Sequence, residues 1–110
     1  MGVTKTNLYS EEHNSQAELF KALGHPARLK IVNYLLRVNS CICGDIVSEV
    51  KLAQPTITRH LKVLKEADII KGSIEGNQVC YCINSESFRV LKEIITIMAE
   101  EVSGIDGTCC

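Results

Sequence analysis

The chain has 110 residues, a formal net charge of −1 and no tryptophan. A chain of this length forms one small domain with a modest core, which a second copy can help to cover, and no apolar run approaches the roughly 20 residues that cross a membrane. Its polar start, MGVTKTNLYSEEHNSQ, lacks the apolar segment of a signal peptide, so we expect a cytoplasmic protein.

The first predicted elements are two short helices. From Ser15 onward, Ala17, Phe20 and Leu23 share one helical face, and Gly24 is a typical helix-ending glycine. The segment HPARLKIVNYLL predicts a second helix, because proline suits a first helical turn. Its apolar stripe is assigned to the core and consists of Leu29, Val32, Leu35 and Leu36.

A helix-turn-helix is predicted in the middle of the chain. The segment CICGDIVSEV predicts a short helix that starts between Cys41 and Asp45. After a brief turn, PTITRHLKVLKEA predicts an amphipathic helix with Ile57, Leu61 and Leu64 facing inward. Its solvent-facing side is polar and basic, as is typical of a DNA-recognition helix, and includes Thr58, Arg59, Lys62 and Lys65.

A β-hairpin and a last helix complete the predicted domain. The segment DIIKGSIEGNQVCYCIN contains two strand-like runs around the turn residues EGN, which would form a wing beside the recognition helix. The last helix carries an apolar seam suited to helix pairing within the domain or across a dimer: Phe88, Leu91, Ile95, Met98 and Val102. We therefore expect a polar arm (1–14), a mainly α, dimeric winged helix-turn-helix domain with a β-hairpin wing (15–103), and a mobile tail (104–110).

Charge is unevenly distributed along the chain. Residues 21–71 contain nine basic and four acidic groups, so that the rest of the chain is acidic. A basic middle between acidic ends favours a polyanionic partner for the middle segment alone.

Three segments together resemble the ArsR/SmtB family of metalloregulatory winged-helix repressors over residues 15–100. They are ALGHPARLKIVNYLL, CICGDIV and QPTITRHLKVLKEADIIKGSIEGNQVCYCI. The resemblance implies a homodimer that binds a palindromic operator in double-stranded DNA as the metal-free form and leaves it when an inducer binds.

The resemblance also implies DNA-facing positions at the front of the recognition helix, namely Gln54, Thr56, Thr58, Arg59 and His60. Arginine and glutamine can recognise base edges, while hydroxyls and lysines such as Lys62 and Lys65 can hold phosphates. A packed histidine with local hydrogen bonds is the alternative for His60. Two positions depart from the family pattern: Ala53 replaces a frequent capping serine, and Glu75 at the hairpin tip argues against wing contact with DNA.

The six cysteines fall into three pairs along the chain, of which the first is Cys41 and Cys43. This pair matches the family's Cys-x-Cys motif, which the resemblance associates with As(III) or Sb(III) and, with additional ligands, cadmium or lead. Thiolates near a helix amino end are stabilised by the helix dipole and prefer soft ions. Helical positions i and i+2 point about 200° apart, so binding by both sulfurs is expected to distort the first turn and release DNA.

A trivalent arsenic ion needs a third ligand, and the place near Ile46 where the family has a further cysteine is apolar. We predict that the tail pair, Cys109 and Cys110, supplies it from either subunit; a hydroxide or methyl group on arsenic is the alternative. The third pair, Cys80 and Cys82, shares one face of a strand. Small apolar packing is the simpler interpretation of this pair, and a second dithiol site is the other.

The expected function is that of an arsenic(III)-responsive transcriptional repressor, induced by As(III), Sb(III) or a trivalent organoarsenical, with no organic cofactor and no membrane contact. A redox or persulfide sensor, or a cadmium or zinc sensor, of the same fold is the alternative. Residues 85–110 contain no histidine for an interhelical zinc site, and His25 is better placed to cap a helix.

An enzyme is not expected, because Cys-x-x-Cys is absent and Glu49 stands where a cysteine phosphatase needs arginine. A structural zinc module would unfold without metal, whereas the apolar stripes predict a metal-free fold.

Overall fold

The computed structural model describes residues 8–38, 51–75 and 78–105, with side chains described outside 73–79. These ranges form helices α1 (Glu11–Leu23), α2 (Pro26–Val38) and α3 (Gln54–Glu66), strands β1 (Ile70–Glu75) and β2 (Gln78–Ile83), and helix α4 (Ser85–Ser103). The helix predicted within CICGDIVSEV lies outside the described residues. None of the helices in the described ranges has the length and apolarity needed to cross a membrane.

Helix α1 begins at Glu11, four residues before the expected start, because Ser10 caps it. The Ser10 hydroxyl accepts a hydrogen bond from the backbone N–H of His13 at 3.0 Å. Its buried face also differs from the prediction, since Ala22 is buried while Phe20 is 37% exposed. The helix ends at Leu23 with Gly24 as its C-cap, as predicted.

Helix α2 starts as the sequence predicts, with His25 as its side-chain cap. The Nδ1 atom of His25 accepts a hydrogen bond from the backbone N–H of Ala27 at 3.0 Å. The buried residues of α2 are Ile31, Val32 and Leu35. Two members of the predicted stripe are instead exposed, Leu29 and Leu36, because α1, α3 and β2 cover only a narrow face of this helix.

Helix α3 and the hairpin agree with the prediction. Ile57, Leu61 and Leu64 are all buried, at spacings of four and three. Strands β1 and β2 pair antiparallel, from Ile70 opposite Ile83 to Glu75 opposite Gln78. The hairpin therefore follows α3 directly, with the buried Ile69 and Ile70 anchoring its base in the core.

Within the described residues, the core is an apolar cluster whose largest fully buried side chains come from α2, α3 and the base of β1: Ile31, Leu35, Ile57, Leu64, Ile69 and Ile70. Helix α4 joins it through Leu91 and the partly buried Phe88. Two hydrogen bonds to the carbonyl of Asp68, from the Asn84 side chain and the Ser87 hydroxyl, tie the start of α4 to the turn after α3.

Helix α4 leaves the core after its third turn, in which Ile94 is still buried. The face that carries Phe88 and Leu91 continues as Ile95, Met98 and Val102, and these three are 50%, 55% and 64% exposed. The predicted seam is therefore one stripe, of which only the first half packs inside this chain.

Candidate nucleic-acid interface

Helix α3 starts at a residue that provides an extended backbone but no polar side-chain cap. Ala53 is extended (φ −62°, ψ 148°) and makes no side-chain cap hydrogen bond, and a proline lies in the first turn. Ala53 thus provides no capping hydroxyl where the resembling family often has a serine. No side-chain oxygen of the cap residue competes for the first N–H groups of α3, which leaves them for an anion such as a phosphate.

The outer surface of α3 carries most of the predicted DNA-facing residues. Gln54, Thr58 and Lys62 follow one another at four-residue spacing and are exposed. Arg59 beside them is exposed, and Thr56 is half-buried. One helix therefore presents an amide, a hydroxyl and two cations on the side opposite its buried Ile57, Leu61 and Leu64.

Lys65 occupies a different position, at the junction of α3 and the hairpin. Its Cε and Nζ atoms lie 3.4 Å from the place where a Cβ would stand on Gly72. A glycine at this position lets the lysine side chain lie across the base of β1. Lys65 is exposed and extends the basic surface from α3 toward the hairpin.

His60 contacts other residues of its own chain rather than lying on the outer stripe. Its ring packs against the ring of His25 with centroids 4.5 Å apart, and its Nδ1 lies 3.3 Å from Nη1 of Arg28. The ring contact fits the alternative interpretation of a packed histidine, but the contact of Nδ1 is with a residue 32 positions away in the sequence rather than a local one.

Arg28 is the residue of this region that the sequence reasoning missed. Its Nε donates to the carbonyl of Ala22 at 2.5 Å and its Nη2 to the carbonyl of Lys21 at 3.3 Å. A cation at the carboxyl end of α1 is also favoured by the helix dipole. Since its contact with His60 spans 32 residues of sequence, no local pattern could have indicated it.

The surroundings of His60 lower its pKa from the ordinary value of 6.5, first through burial and then through the charges of His25, Arg28 and Arg59. Its Nδ1 can accept a hydrogen bond from Arg28 only when that nitrogen carries no proton. Both effects favour a neutral imidazole, so His60 adds no charge to the basic surface at neutral pH.

The predicted ion ligands Cys41, Cys43, Cys109 and Cys110 lie outside the described residues. Within the described ranges, no group of three or more histidine, cysteine, aspartate or glutamate residues could hold a metal ion. The side chain of Glu75, on which the expectation for the wing depends, also falls outside the described side chains.

Cys80 and Cys82 lie within the described residues, and their sulfurs form bonds as well as packing contacts. Cys80 is buried, with 4% of its surface exposed, and Cys82 is half-buried. Both sulfurs are disulfide-bonded. The burial of Cys80 fits the packing interpretation, but packing alone does not require sulfur–sulfur bonds.

Comparison with known proteins gives consistent results. Residues 25–71 match the family described as bacterial regulatory protein, arsR family. An uncharacterised HTH-type transcriptional regulator of Methanocaldococcus jannaschii is 42% identical over 91 residues, which are 82% of this chain and 98% of that protein. The transcriptional repressor SdpR of Bacillus subtilis is 34% identical over 89 residues, which are 81% of this chain and 94% of that protein.

A solved structure agrees with the fold. The homodimeric winged helix-turn-helix DNA-binding domain of Mycobacterium bovis, determined by solution NMR, has a TM-score of 0.66 and covers 99% of this chain and 98% of its own, at 20% identity.

Proposed function

Because the chain belongs to the ArsR family of bacterial regulatory proteins, whose members are DNA-binding transcriptional regulators rather than enzymes, we propose that it is an arsenic-responsive repressor. In this proposal a metal-free homodimer holds its operator. Binding of As(III), Sb(III) or a trivalent organoarsenical to cysteine thiolates releases the DNA. The observation that carries the DNA-binding part is the division of α3 into a buried apolar face and an exposed amide, hydroxyl and cation face.

The side chains on α3 have the chemistry that base and phosphate recognition requires. Arginine and glutamine side chains pair bidentately with base edges in the major groove, so Arg59 and Gln54 are assigned to base recognition. Thr56, Thr58, Lys62 and Lys65 are assigned to phosphates, which fix the position of a protein on the duplex. His60 is assigned to support α3 from behind, because its ring contacts His25 and Arg28.

A second copy of the chain is proposed to cover the exposed half of α4. Three large apolar side chains, Ile95, Met98 and Val102, continue the buried stripe of α4 into solvent. A helix that presents such a stripe to a copy of itself can pair with it in a symmetric interface. Two copies also supply two recognition helices, which a palindromic operator needs.

The inducer site is proposed from the sequence motif and the family resemblance. Cys41 and Cys43 are the first two thiolate ligands, and a tail sulfur of Cys109 or Cys110 is the first candidate for the third. Soft thiolates select As(III) and Sb(III) over hard ions such as magnesium. Closing one ion between two residues that a regular helix directs apart strains the turn ahead of α3.

Operator release measured by fluorescence anisotropy tests this proposal. Arsenite, added under strong reductant, is expected to weaken binding of labelled operator by the wild type by about 5- to 150-fold, the usual range of allosteric coupling. The double variant Cys41→Ser, Cys43→Ser should bind the operator equally well without arsenite and stay bound when it is added. Equal release of the double variant and the wild type would place the trigger elsewhere.

A redox or persulfide sensor with the same DNA-binding surface is the second candidate, and the disulfide-bonded sulfurs of Cys80 and Cys82 favour it. The same titration discriminates between the two. Operator release by peroxide or persulfide without metal, together with no response to arsenite under reductant, would support the redox or persulfide sensor. Release by Cd(II) but not by arsenite would support the proposed thiolate site and would identify Cd(II), rather than As(III), as the inducer.

A further inference from the structure

The hairpin begins where α3 ends, and the connection between them is short and held by hydrogen bonds. Asp68 lies in the left-handed region of the backbone, with φ 61°. Its N–H donates to the carbonyl of Lys65 at 3.0 Å, and the N–H of Ile69 donates to the carbonyl of Leu64 at 2.9 Å. This pair of bonds is a Schellman motif, which ends a helix and turns the chain. Strand β1 therefore starts beside the last turn of α3.

The base of the hairpin is anchored on two sides. The carbonyl of Asp68 accepts hydrogen bonds from Nδ2 of Asn84 at 2.9 Å and from the hydroxyl of Ser87, both at the start of α4. Ile69 and Ile70, which follow Asp68, are fully buried in the core. These contacts fix the first part of β1 relative to α3.

Lys65 lies across this anchored strand at a glycine. Its Cε and Nζ atoms both lie 3.4 Å from the place where a Cβ would stand on Gly72, and Cε1 of Tyr81 lies 3.5 Å from the same place. Gly72 and Tyr81 stand directly opposite one another in the register of the two strands. The end of the lysine side chain and the edge of the tyrosine ring therefore share the space that the glycine leaves open.

The charge of Lys65 is available to a ligand. Among the described residues, its ammonium group forms no ion pair, and Lys65 is exposed. A free lysine side chain loses rotamer freedom when it binds, and a side chain that is already held in place loses less. The contact with Gly72 and Tyr81 therefore prepares Lys65 for an anion at the junction of α3 and the hairpin.

We propose that Gly72 and Tyr81 are positioning residues for DNA binding, which hold the ammonium group of Lys65 where it meets a backbone phosphate of the operator. This inference rests on the proposed function, in which Lys65 binds a phosphate. It adds that the base of the hairpin takes part in DNA binding through a side chain of α3. Because phosphate contacts fix the orientation of a protein on the duplex, a lysine held at this junction also constrains the angle at which α3 meets DNA.

The substitution Gly72→Val tests this arrangement. Gly72 lies within β1, and valine favours strands and pairs well with an aromatic residue on the opposite strand, so we expect the hairpin to persist. The valine methyl groups need the space that Cε and Nζ of Lys65 occupy, so the lysine must turn away. Operator binding, measured by fluorescence anisotropy at several salt concentrations, should lose about 1 from the slope of log affinity against log salt, as in Lys65→Ala. A slope and an affinity equal to those of the wild type would overturn the inference.

The double variant Lys65→Ala, Gly72→Val shows whether the effect passes through the lysine. It should bind the operator with the affinity and the salt slope of Lys65→Ala alone. A further loss would show that valine acts through the hairpin itself and would refute the positioning role. The matched control is Gly72→Ala, whose single methyl group fits at an ordinary contact distance from Lys65 and Tyr81, so this variant should bind like the wild type.

Nuclear magnetic resonance of the wild type keeps the inference testable if Gly72→Val does not fold. Nuclear Overhauser effects are expected from the ε protons of Lys65 to the α protons of Gly72 and to the ring protons of Tyr81. Their absence from the assigned spectra of the DNA-free protein would overturn the inference. Failure of the proposed function looks different, because Lys65→Ala would then keep the salt slope of the wild type while the Overhauser effects are still observed.

Discussion

At the scale of single residues, one arginine connects three helices. Arg28 donates hydrogen bonds to the carbonyl groups of Lys21 and Ala22 at the end of α1, and its Nη1 lies 3.3 Å from Nδ1 of His60 on α3. The ring of His25 packs on the other side of this histidine while its Nδ1 caps α2. The position of α3 therefore depends on a polar junction as well as on the apolar core.

We predict that this junction makes stability sensitive to mild acid. The pKa of His60 is lowered from 6.5 in the folded protein, mainly by burial, so the unfolded chain takes up this proton at a higher pH than the folded protein does. The free energy of unfolding should therefore fall as the pH drops below 6.5 and level off once the folded protein is also protonated.

Urea unfolding of wild type and of His60→Gln, measured from about pH 8 to about pH 5, checks this prediction. Glutamine keeps an acceptor for Arg28 but does not titrate, so the variant should lose part of the pH dependence. The other histidines, His13 and His25, are present in both proteins. Identical slopes for the two proteins would contradict the prediction.

At the scale of elements, α3 separates packing from recognition on its two faces. Ile57, Leu61 and Leu64 attach it to the core, so changes on the outer face can alter DNA binding without unfolding the domain. Arg59 and Lys62 are neighbours on that outer face, yet we assign them different partners. We therefore expect substitutions of Arg59 and of Lys62 to change DNA binding in different ways.

Lys62→Ala is predicted to weaken binding to all DNA sequences alike and to reduce the slope of log affinity against log salt by about 1. Arg59→Ala is predicted to cost about 1–3 kcal/mol on the operator and to relax discrimination at one base pair. Anisotropy titrations with operator and scrambled duplexes at several salt concentrations measure both effects. Lys30→Ala, an exposed change on α2, is the matched control, and an equal effect of this variant would refute the assignment.

In helix α4, the packed and the exposed parts of the apolar stripe follow one another along the helix, whereas in α3 the buried and exposed residues lie on opposite faces. Its first turns are held by Leu91 and by hydrogen bonds to the carbonyl of Asp68, and its later turns expose the stripe assigned to the dimer.

Met98→Glu should prevent dimer formation, since burying an unpaired carboxylate in an apolar interface costs several kcal/mol, while the helical content should persist. Sedimentation velocity and circular dichroism give the two readouts. Thr96→Glu introduces the same charge on another side of the exposed part of α4 and should leave the association state unchanged. A Met98→Glu protein that remains a dimer would show that this stripe is not the interface.

At the scale of the whole molecule, folding depends on one apolar cluster that α1, α2, α3, β1 and α4 build together. The largest fully buried side chains are isoleucines and leucines, such as Ile31, Leu35 and Leu64. The side chains of this cluster are apolar and pack without metal ligands, so we expect its stability not to require an ion.

Removal of metal is therefore predicted to leave the domain folded. Far-ultraviolet circular dichroism and the thermal midpoint, measured after dialysis against chelator and reductant, should match those of the untreated protein within a few degrees. Collapse of the helical signal on chelation would identify a structural metal site and would contradict an ion that acts only as inducer.

Much of the fold could be predicted from local patterns. The buried face of α3, the β-hairpin, the end of α1 at Gly24 and the cap provided by His25 all depend on residues within a few positions of one another. Hydrophobic period, turn composition and capping act over this range. The exposed side chains at the front of α3 follow from the same periodicity, and the role in DNA binding that we propose for them comes from the family resemblance.

The remaining features depend on contacts between distant segments, which local patterns do not encode. Helix periodicity predicted apolar stripes on α1 and α2, but the neighbouring elements select which apolar residues are covered, so Phe20 and Leu29 remain exposed. In the same way, His60 contacts Arg28, which lies 32 positions away in the sequence. Residue types and spacings were enough to predict the elements, whereas the packing of those elements against one another decides which side chains are available to bind DNA, an ion or a second copy.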